Sequence, residues 1–321
     1  MMISCAVLDD YQNAATSVAD WRVLADKVSV RVFNEHFFDR AELARALSGF
    51  EIVVAMRERT PFDAWLFEHL PKLKLLVTTG MRNASIDLDA AARKGVQVCG
   101  TGSFGGATSE LTWGLIHALT RDIPGEVNRF RQGGKWQTGL GHSLLGKSLG
   151  VIGMGNLGER VARVGLAFGM HVSGWSRSLT PLRCAEIGVR HAGTLDDLLR
   201  NSDIVTLHVT LNAQSRGLIG AREFGLMRRS AHLVNTSRGP VVDEAALIHA
   251  LRTGQIAGAA VDVYEEEPLP LDHPFRSLDR LIATPHIGYV TEEGYRVFYG
   301  QAVEDISAWL AGTPARILGK S

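Results

Sequence analysis

Three short stretches of the chain carry side chains that can handle protons and small anions together. They are Asn235-Thr236-Ser237-Arg238-Gly239, Asp262-Val263-Tyr264-Glu265-Glu266-Glu267-Pro268 and Thr284-Pro285-His286-Ile287-Gly288. An arginine fork matches the two oxygens of a carboxylate and binds it bidentately. A histidine beside a carboxylate is a general acid/base device, because the anion stabilises the imidazolium and lets the ring hold a proton near neutral pH. Among eleven histidines, His286 stands out: a proline precedes it, a glycine follows two residues on and an apolar run leads into it. His142, His171, His191 and His232 have no motif around them and read as surface or loop groups. Glu267 closes a run of three glutamates, and such runs are usually solvated faces. Pro268 and the register from Asp262 separate it from Glu265 and Glu266.

A glycine pattern supplies the second half of the chemistry. Gly153-Met154-Gly155-Asn156-Leu157-Gly158 follows an apolar strand and opens a helical stretch. In that setting the glycines permit a tight turn, approach of a pyrophosphate to backbone N–H groups, and close helix–strand packing. The phosphates then sit at a helix N-terminus, where unpaired amides and the dipole favour an anion. The six residues 153–158 are therefore the expected dinucleotide cradle. An acid about 20 residues further on would hold the ribose 2′-OH, yet no acid lies between Arg160 and Ala185. Trp175-Ser176-Arg177-Ser178 occupies the tip of the next strand instead. Arg177 can pair with a 2′-phosphate, which favours NADP. A solvated Arg177, with NAD accepted through Ser176, is the alternative.

These groups need a scaffold that brings strand ends together. Short apolar runs at 3–8, 28–33, 52–56 and 73–78 read as buried strands, separated by helical patterns at 40–47, 62–69 and 88–94. A long helix is expected over 109–131, followed by a glycine-rich arm at 133–145 that carries Trp136. The pattern restarts at Ser148, with strands at 149–152, 171–175, 204–208, 231–235, 257–261 and 281–283 and a helix at 156–168. This alternation is the signature of parallel sheets wrapped by helices. The last helix, 292–310, has no later strand to join the second sheet, so it is expected to return to the first domain. Arg57 and Arg59 end a strand of that first domain, where they could border a cleft.

The three catalytic segments, their order and their spacing after the glycine loop resemble the D-isomer-specific 2-hydroxyacid dehydrogenases. Residues 76–87, Ser109-Glu110-Leu111-Thr112, Leu207-His208-Val209 and Arg216-Gly217-Leu218-Ile219 extend the resemblance over nearly the whole chain. It implies an α/β fold of two doubly wound parallel-sheet domains. A Rossmann cofactor domain at 101–289 would be inserted into a flavodoxin-like substrate domain formed by 1–100 plus 290–321. It implies Arg238 as the substrate-binding arginine, Glu267 as partner of the histidine and His286 as the acid/base. Asp262 would contact the nicotinamide carboxamide, with Val209 and Thr236 also lining the cofactor. The amides around Gly80, Met81 and Arg82 would hold the substrate carboxylate beside Arg238. The implied reaction is reversible hydride transfer between NAD(P)H and a small 2-oxo acid, giving the D-2-hydroxy acid, as in glyoxylate/hydroxypyruvate reductases. Domain closure would exclude water. A homodimer formed through the cofactor domain and the 133–145 arm is implied as well.

The chain departs from the family twice. The substrate loop, commonly Gly-Val-Gly-Val-Asp-Asn, here reads Gly80-Met81-Arg82-Asn83-Ala84. Arg82 is then either a substrate contact or a structural, solvent-facing group. The missing acid near Arg177 is the second departure. Met81, Arg82, Trp136 and Tyr289 are candidates to shape the pocket. Two rival readings share the scaffold. A formate dehydrogenase would carry Gln at the place of Glu267, since formate oxidation needs no proton transfer. An NAD(H)-sensing corepressor-like protein would bind cofactor without turnover.

Composition narrows the partners. The 321 residues carry 34 basic and 34 acidic side chains, a formal net charge of zero. Neither nucleic acid nor an anionic membrane is expected as a partner, because both reward a basic excess. At 45% hydrophobic and 21% charged the chain is too apolar for disorder. Cys5, Cys99 and Cys184 show no paired spacing, so neither a disulfide framework nor a metal site is expected. The residues before Asp9 lack the basic and apolar regions of a signal peptide, and a cytoplasmic location is expected.

Overall fold

The computed structural model describes residues 2–319. The chain divides into two compact units, one of Met1–Phe104 with Val290–Ser321 and one of Gly105–Tyr289.

In the first unit, β1 (Ile3–Val7), β2 (Val28–Val32), β3 (Ile52–Ala55), β4 (Leu75–Thr78) and β5 (Gln97–Gly100) form a parallel sheet in the order β2-β1-β3-β4-β5. This is the flavodoxin-like order. Strands β3 and β4 read Ile-Val-Val-Ala and Leu-Leu-Val-Thr and are buried throughout, as strands covered on both faces must be. Asp39, Asp63 and Asp87 cap the helices Arg40–Leu47, Ala64–His69 and Leu88–Arg93 by accepting backbone N–H bonds. The last helix, Glu292–Leu310, returns to this unit and packs on β4, burying Tyr295, Phe298, Tyr299 and Ala302. The residues after it add a short edge beside β5, where Cys99 bridges Ile317 in antiparallel fashion.

The second unit holds β6 (Ser148–Ile152), β7 (His171–Trp175), β8 (Arg190–His191), β9 (Ile204–Leu207), β10 (His232–Asn235), β11 (Gly258–Val261) and β12 (Leu281–Ala283). Their order, β12-β11-β10-β9-β6-β7-β8, is the Rossmann order with one extra strand. Alternate residues feed two apolar layers. Leu233, Ala259 and Val261 face one, while Val234 and Ala260 face the other together with Trp113 and Ile116. The order reverses between β6 and β9, and at such a switch point loops diverge and leave a crevice.

Two expectations need correction. The helix expected over 109–131 is two helices, Ala107–Arg121 and Ile123–Arg131, separated by Asp122 in the left-handed region at φ 46°. Pro124 accounts for the break, since it lacks an N–H and its ring would meet the carbonyl one turn earlier, whereas the first turn of a new helix accepts it. His232 is no surface group: it opens β10, and burial pushes its imidazole down to about 4.

Candidate active site

His286 sits in the turn after β12, with its backbone in the left-handed region at φ 52°. Two devices hold a β-substituted residue in that unfavourable state. Its own N–H donates to Thr284 O at 2.9 Å. Asp262, at the end of β11, receives the next two amides, Ile287 N to Oδ1 and Gly288 N to Oδ2, both at 2.8 Å, and the Thr284 hydroxyl at 2.6 Å. Burial pushes the Asp262 carboxyl up, against the pull of these donors and of nearby His286. The aspartate is thus first of all the clamp of the histidine turn.

The imidazole is oriented from the other side. His286 Nδ1 lies 2.5 Å from Glu267 Oε2, with the two side chains 22% and 29% exposed. Glu267 Oε1 accepts the Tyr264 N–H at 2.9 Å, so the carboxylate bridges its own turn and the ring. With Nδ1 committed to Glu267, Nε2 is the nitrogen left to exchange a proton. Tyr289 meets the ring edge-on at 5.3 Å.

Arg238 follows β10 and precedes the short helix Gly239–Val241. Asn235 shapes its turn, donating to Arg238 O at 3.0 Å and accepting Ser237 N and Oγ at 3.0 and 2.9 Å. A Cβ on Gly239 would lie 2.0 Å from the Tyr264 carbonyl, so only glycine lets the Arg238 turn rest on the turn that carries Glu267. The cation and the His–carboxylate pair are thereby placed by touching backbones.

The glycine loop follows β6 at the sheet's switch point. Gly153 takes φ 93° and donates to Trp175 O at 2.8 Å. A Cβ on Gly158 would meet Gly153 O at 1.9 Å, which forces glycine where the helix starts against the loop. The helix Asn156–Ala167 has Gly155 as its N-cap and no side-chain cap, so its first amides are open to an anion. Met154 turns inward and packs on Gly174, leaving its backbone as its contribution. The opposite wall is the carbonyl of His208 and the side chain of Val209, against which Gly153 is pressed. Burial pushes the His208 imidazole down to about 4, so this wall is neutral. Thr236 is buried and shares a hydroxyl–hydroxyl bond of 2.9 Å with Thr112. These residues fit a bound dinucleotide: an uncapped helix start, a glycine turn and no acid at the ribose end.

Just past the tip of β7, the exposed Arg177 has a protein partner. Its guanidinium donates to the Gln214 side-chain oxygen at 3.2 Å and to the Gln214 carbonyl. Gln214 carries no motif, and only the fold brings it to the tip of β7.

The loop at Gly80 belongs to the first unit. Gly80, at φ 113°, already donates its N–H to Thr101 Oγ1 at 2.9 Å, which corrects the expectation that this amide holds a substrate. Met81 and Arg82 are exposed, and their amides have no partner among the described residues. Arg57 lies over this loop, a guanidinium nitrogen standing 2.6 Å from where a Gly80 Cβ would be. Asn83 fixes the loop from below, donating to Arg57 O at 2.6 Å and Thr78 Oγ1 at 2.8 Å. Arg59 instead donates to Asp9 O at 2.6 Å and stacks on Tyr11.

Residues 113–288 match the family described as D-isomer specific 2-hydroxyacid dehydrogenase, NAD binding domain. The chain belongs to that family. A glyoxylate reductase of Aeropyrum pernix is 40% identical over 260 residues, 78% of this chain and 77% of that one. A D-3-phosphoglycerate dehydrogenase of Methanocaldococcus jannaschii is 36% identical over 263 residues, covering 81% of this chain and 50% of that protein. The crystal structure of a phosphoglycerate oxidoreductase from Vibrio cholerae O395 superposes with a TM-score of 0.92 at 34% identity, over 97% of this chain and 100% of that one. As a D-2-hydroxyacid dehydrogenase the chain is an oxidoreductase, and its second unit is the one that takes the nicotinamide cofactor. Among the described residues no helix is long and apolar enough to cross a membrane, and no group of three or more His, Cys, Asp or Glu is placed to hold a metal ion.

Proposed function

We propose that this dehydrogenase reduces a small 2-oxo acid of the glyoxylate or hydroxypyruvate type to the D-2-hydroxy acid, with NADPH preferred. The observation that carries the reading is the 2.5 Å Glu267–His286 pair, which leaves one imidazole nitrogen for the substrate. Arg238 takes the carboxylate as a two-pronged donor. When bound, the nicotinamide cofactor would supply the hydride chemistry at C2, and this chain's residues handle the carboxylate and the proton. His286 Nε2 gives its proton to the carbonyl oxygen as charge develops there, and Glu267 stabilises the charged ring before transfer. The alcohol formed therefore carries one hydrogen on carbon and one on oxygen. Among the described residues Asp262 Oδ2 accepts one bond, from Gly288 N, and keeps a lone pair for the carboxamide N–H. The Glu267 carboxylate disfavours the formate reading, whose chemistry has no use for a proton donor.

The NADPH preference rests on Arg177, which Gln214 holds just past the tip of β7 and which would face the 2′-phosphate. Assaying glyoxylate, hydroxypyruvate and pyruvate in parallel with NADH and NADPH tests both halves of the proposal. Cofactor oxidation is expected with at least one acid, faster with NADPH. Arg177→Ala should lower kcat/KM for NADPH about tenfold, the loss of one charge-assisted contact, and leave NADH nearly unchanged. Faster turnover with NADH in the wild type would overturn the cofactor assignment. Binding without oxidation of either cofactor would favour the sensor reading.

We also infer a homodimer and a cytoplasmic setting. Phe130, Trp136 and Leu140 are 68%, 80% and 98% exposed on the second helix and the arm that follows it, an apolar patch that a second copy would cover. Light scattering should give twice the chain mass, and a Phe130→Asp/Trp136→Asp double variant should run as a monomer. A monomeric wild type would end this inference. The three buried cysteine thiols are all unpaired, as a reducing compartment would leave them.

A further inference from the structure

We infer that Glu244 is a positioning residue for the acid/base pair, acting through the turn that carries Glu267; this rests on the proton-transfer role given to His286 and Glu267. Two consecutive amides of that turn are each taken by a carboxylate. Tyr264 N–H goes to Glu267 Oε1 at 2.9 Å, and Glu265 N–H goes to Glu244 Oε1 at 2.8 Å. Glu244 comes from elsewhere, the first residue of the helix Glu244–Arg252, whose start is fixed by the Asp243 cap on Ala246 N. Its other oxygen, Oε2, lies 3.3 Å from His273 Nε2. Because His273 Nδ1 accepts the Phe275 N–H at 3.2 Å, the ring proton must sit on Nε2 and points at Glu244. Both side chains are more than four-fifths buried, at 19% and 17% exposure.

The consequence is a second His–carboxylate pair behind the first, its output being the position of a backbone amide. Glu265 sends its own side chain outward to Arg216, so the turn is not held from that side chain inward. Gly239 presses on the same peptide from the Arg238 side. The Glu267 carboxylate therefore hangs from a turn gripped by Glu244 on one side and by the Arg238 turn on the other. If the grip at Glu265 N is lost, Glu267 can drift from His286 Nδ1, and displacements of about 1 Å cost roughly a hundredfold in rate.

A double-mutant cycle separates positioning from general support. Glu244→Ala should lose roughly ten- to a hundredfold in kcat, with cofactor binding unchanged and a melting temperature only about 2–4 °C lower, as for one lost hydrogen bond. Glu244→Asp keeps the charge at the helix start but falls one methylene short of the amide, and should show the same loss in part. In a Glu267→Gln background, either change should cost no more than about twofold further, because its effect runs through the group already removed. Additive losses in the double variants, or wild-type kcat in both single variants, would overturn the inference. Should Glu244→Ala fail to fold, Glu244→Asp carries the same reading. An unchanged kcat in Glu267→Gln alone would instead sink the proton-transfer reading itself.

Discussion

His286→Gln should bind cofactor normally and turn over 2-oxo acid at least about a hundredfold more slowly than the wild type. Glutamine approximates the reach of the imidazole and can still donate to Glu267 Oε2, but it has no proton to give at neutral pH. The turn should survive the change, because its geometry is set by backbone bonds. Thr284 O and the Asp262 carboxylate hold the amides of His286, Ile287 and Gly288, and none of these contacts uses the ring. The cofactor cradle after β6 is a separate element and should be untouched. Titrating cofactor into the variant and timing single turnovers separates binding from chemistry. Near-normal turnover would remove His286 from the mechanism. Loss of binding together with turnover would mean that the side chain supports the cofactor instead.

The parts of this site that were legible in the sequence are those in which neighbours along the chain do the work. The glycine loop, Arg238, Glu267 and His286 each sit at a strand end inside a short segment that announces its own turn. Asn235 shapes the Arg238 turn from three residues away, and Thr284 O takes the His286 N–H from two residues away in its positive-φ turn. Gln214, Glu244 and His273 were invisible for the opposite reason. Their partners lie 37 and 21 residues away for the first two, so only the fold pairs them. The Gly80 amide could not be read either, since its acceptor Thr101 reaches it from beyond β5. Among the elements, the closing helix was legible end to end because its apolar face repeats over 19 residues. Strands β5 and β8 were not. One is a four-residue run that begins with Gln97, and the other is the pair Arg190–His191, too short and polar to show a period. Asp122 and Pro124 split a helix whose apolar series continues past the break, so periodicity alone bridged what local sterics divide.

Arg316→Ala should destabilise the first unit by about 3 kcal/mol near pH 8, the cost of stripping a buried carboxylate of its cation, and by much less near pH 5. Asp305 is fully buried on the closing helix, and Arg316 Nε donates to its Oδ1 at 2.9 Å. Arg316 also ties the final edge to β5, its carbonyl accepting Gly100 N–H at 2.9 Å. Burial pushes the Asp305 carboxyl up from 3.8 to about 6, with Arg316 pulling it down and Glu304 adding to the rise. A carboxyl with a raised folded-state pKa binds its proton more tightly when folded than when unfolded. Its contribution to stability is therefore greatest below about pH 4 and is lost as pH rises through 4 to 6. Removing Arg316 takes away the cation that favours the charged form, so the folded value climbs further and the loss extends toward neutral pH. At pH 5 the variant's carboxyl is protonated and needs no cation, leaving only the smaller loss of the Arg316 bonds to Gln301 O and Glu304. Urea midpoints at the two pH values, for wild type, Arg316→Ala and Arg316→Ala/Asp305→Asn, measure the difference directly. The asparagine should recover most of the pH 8 loss. Equal losses at both pH values, with no recovery by asparagine, would show that Arg316 acts through the edge it anchors and not through the charge it covers.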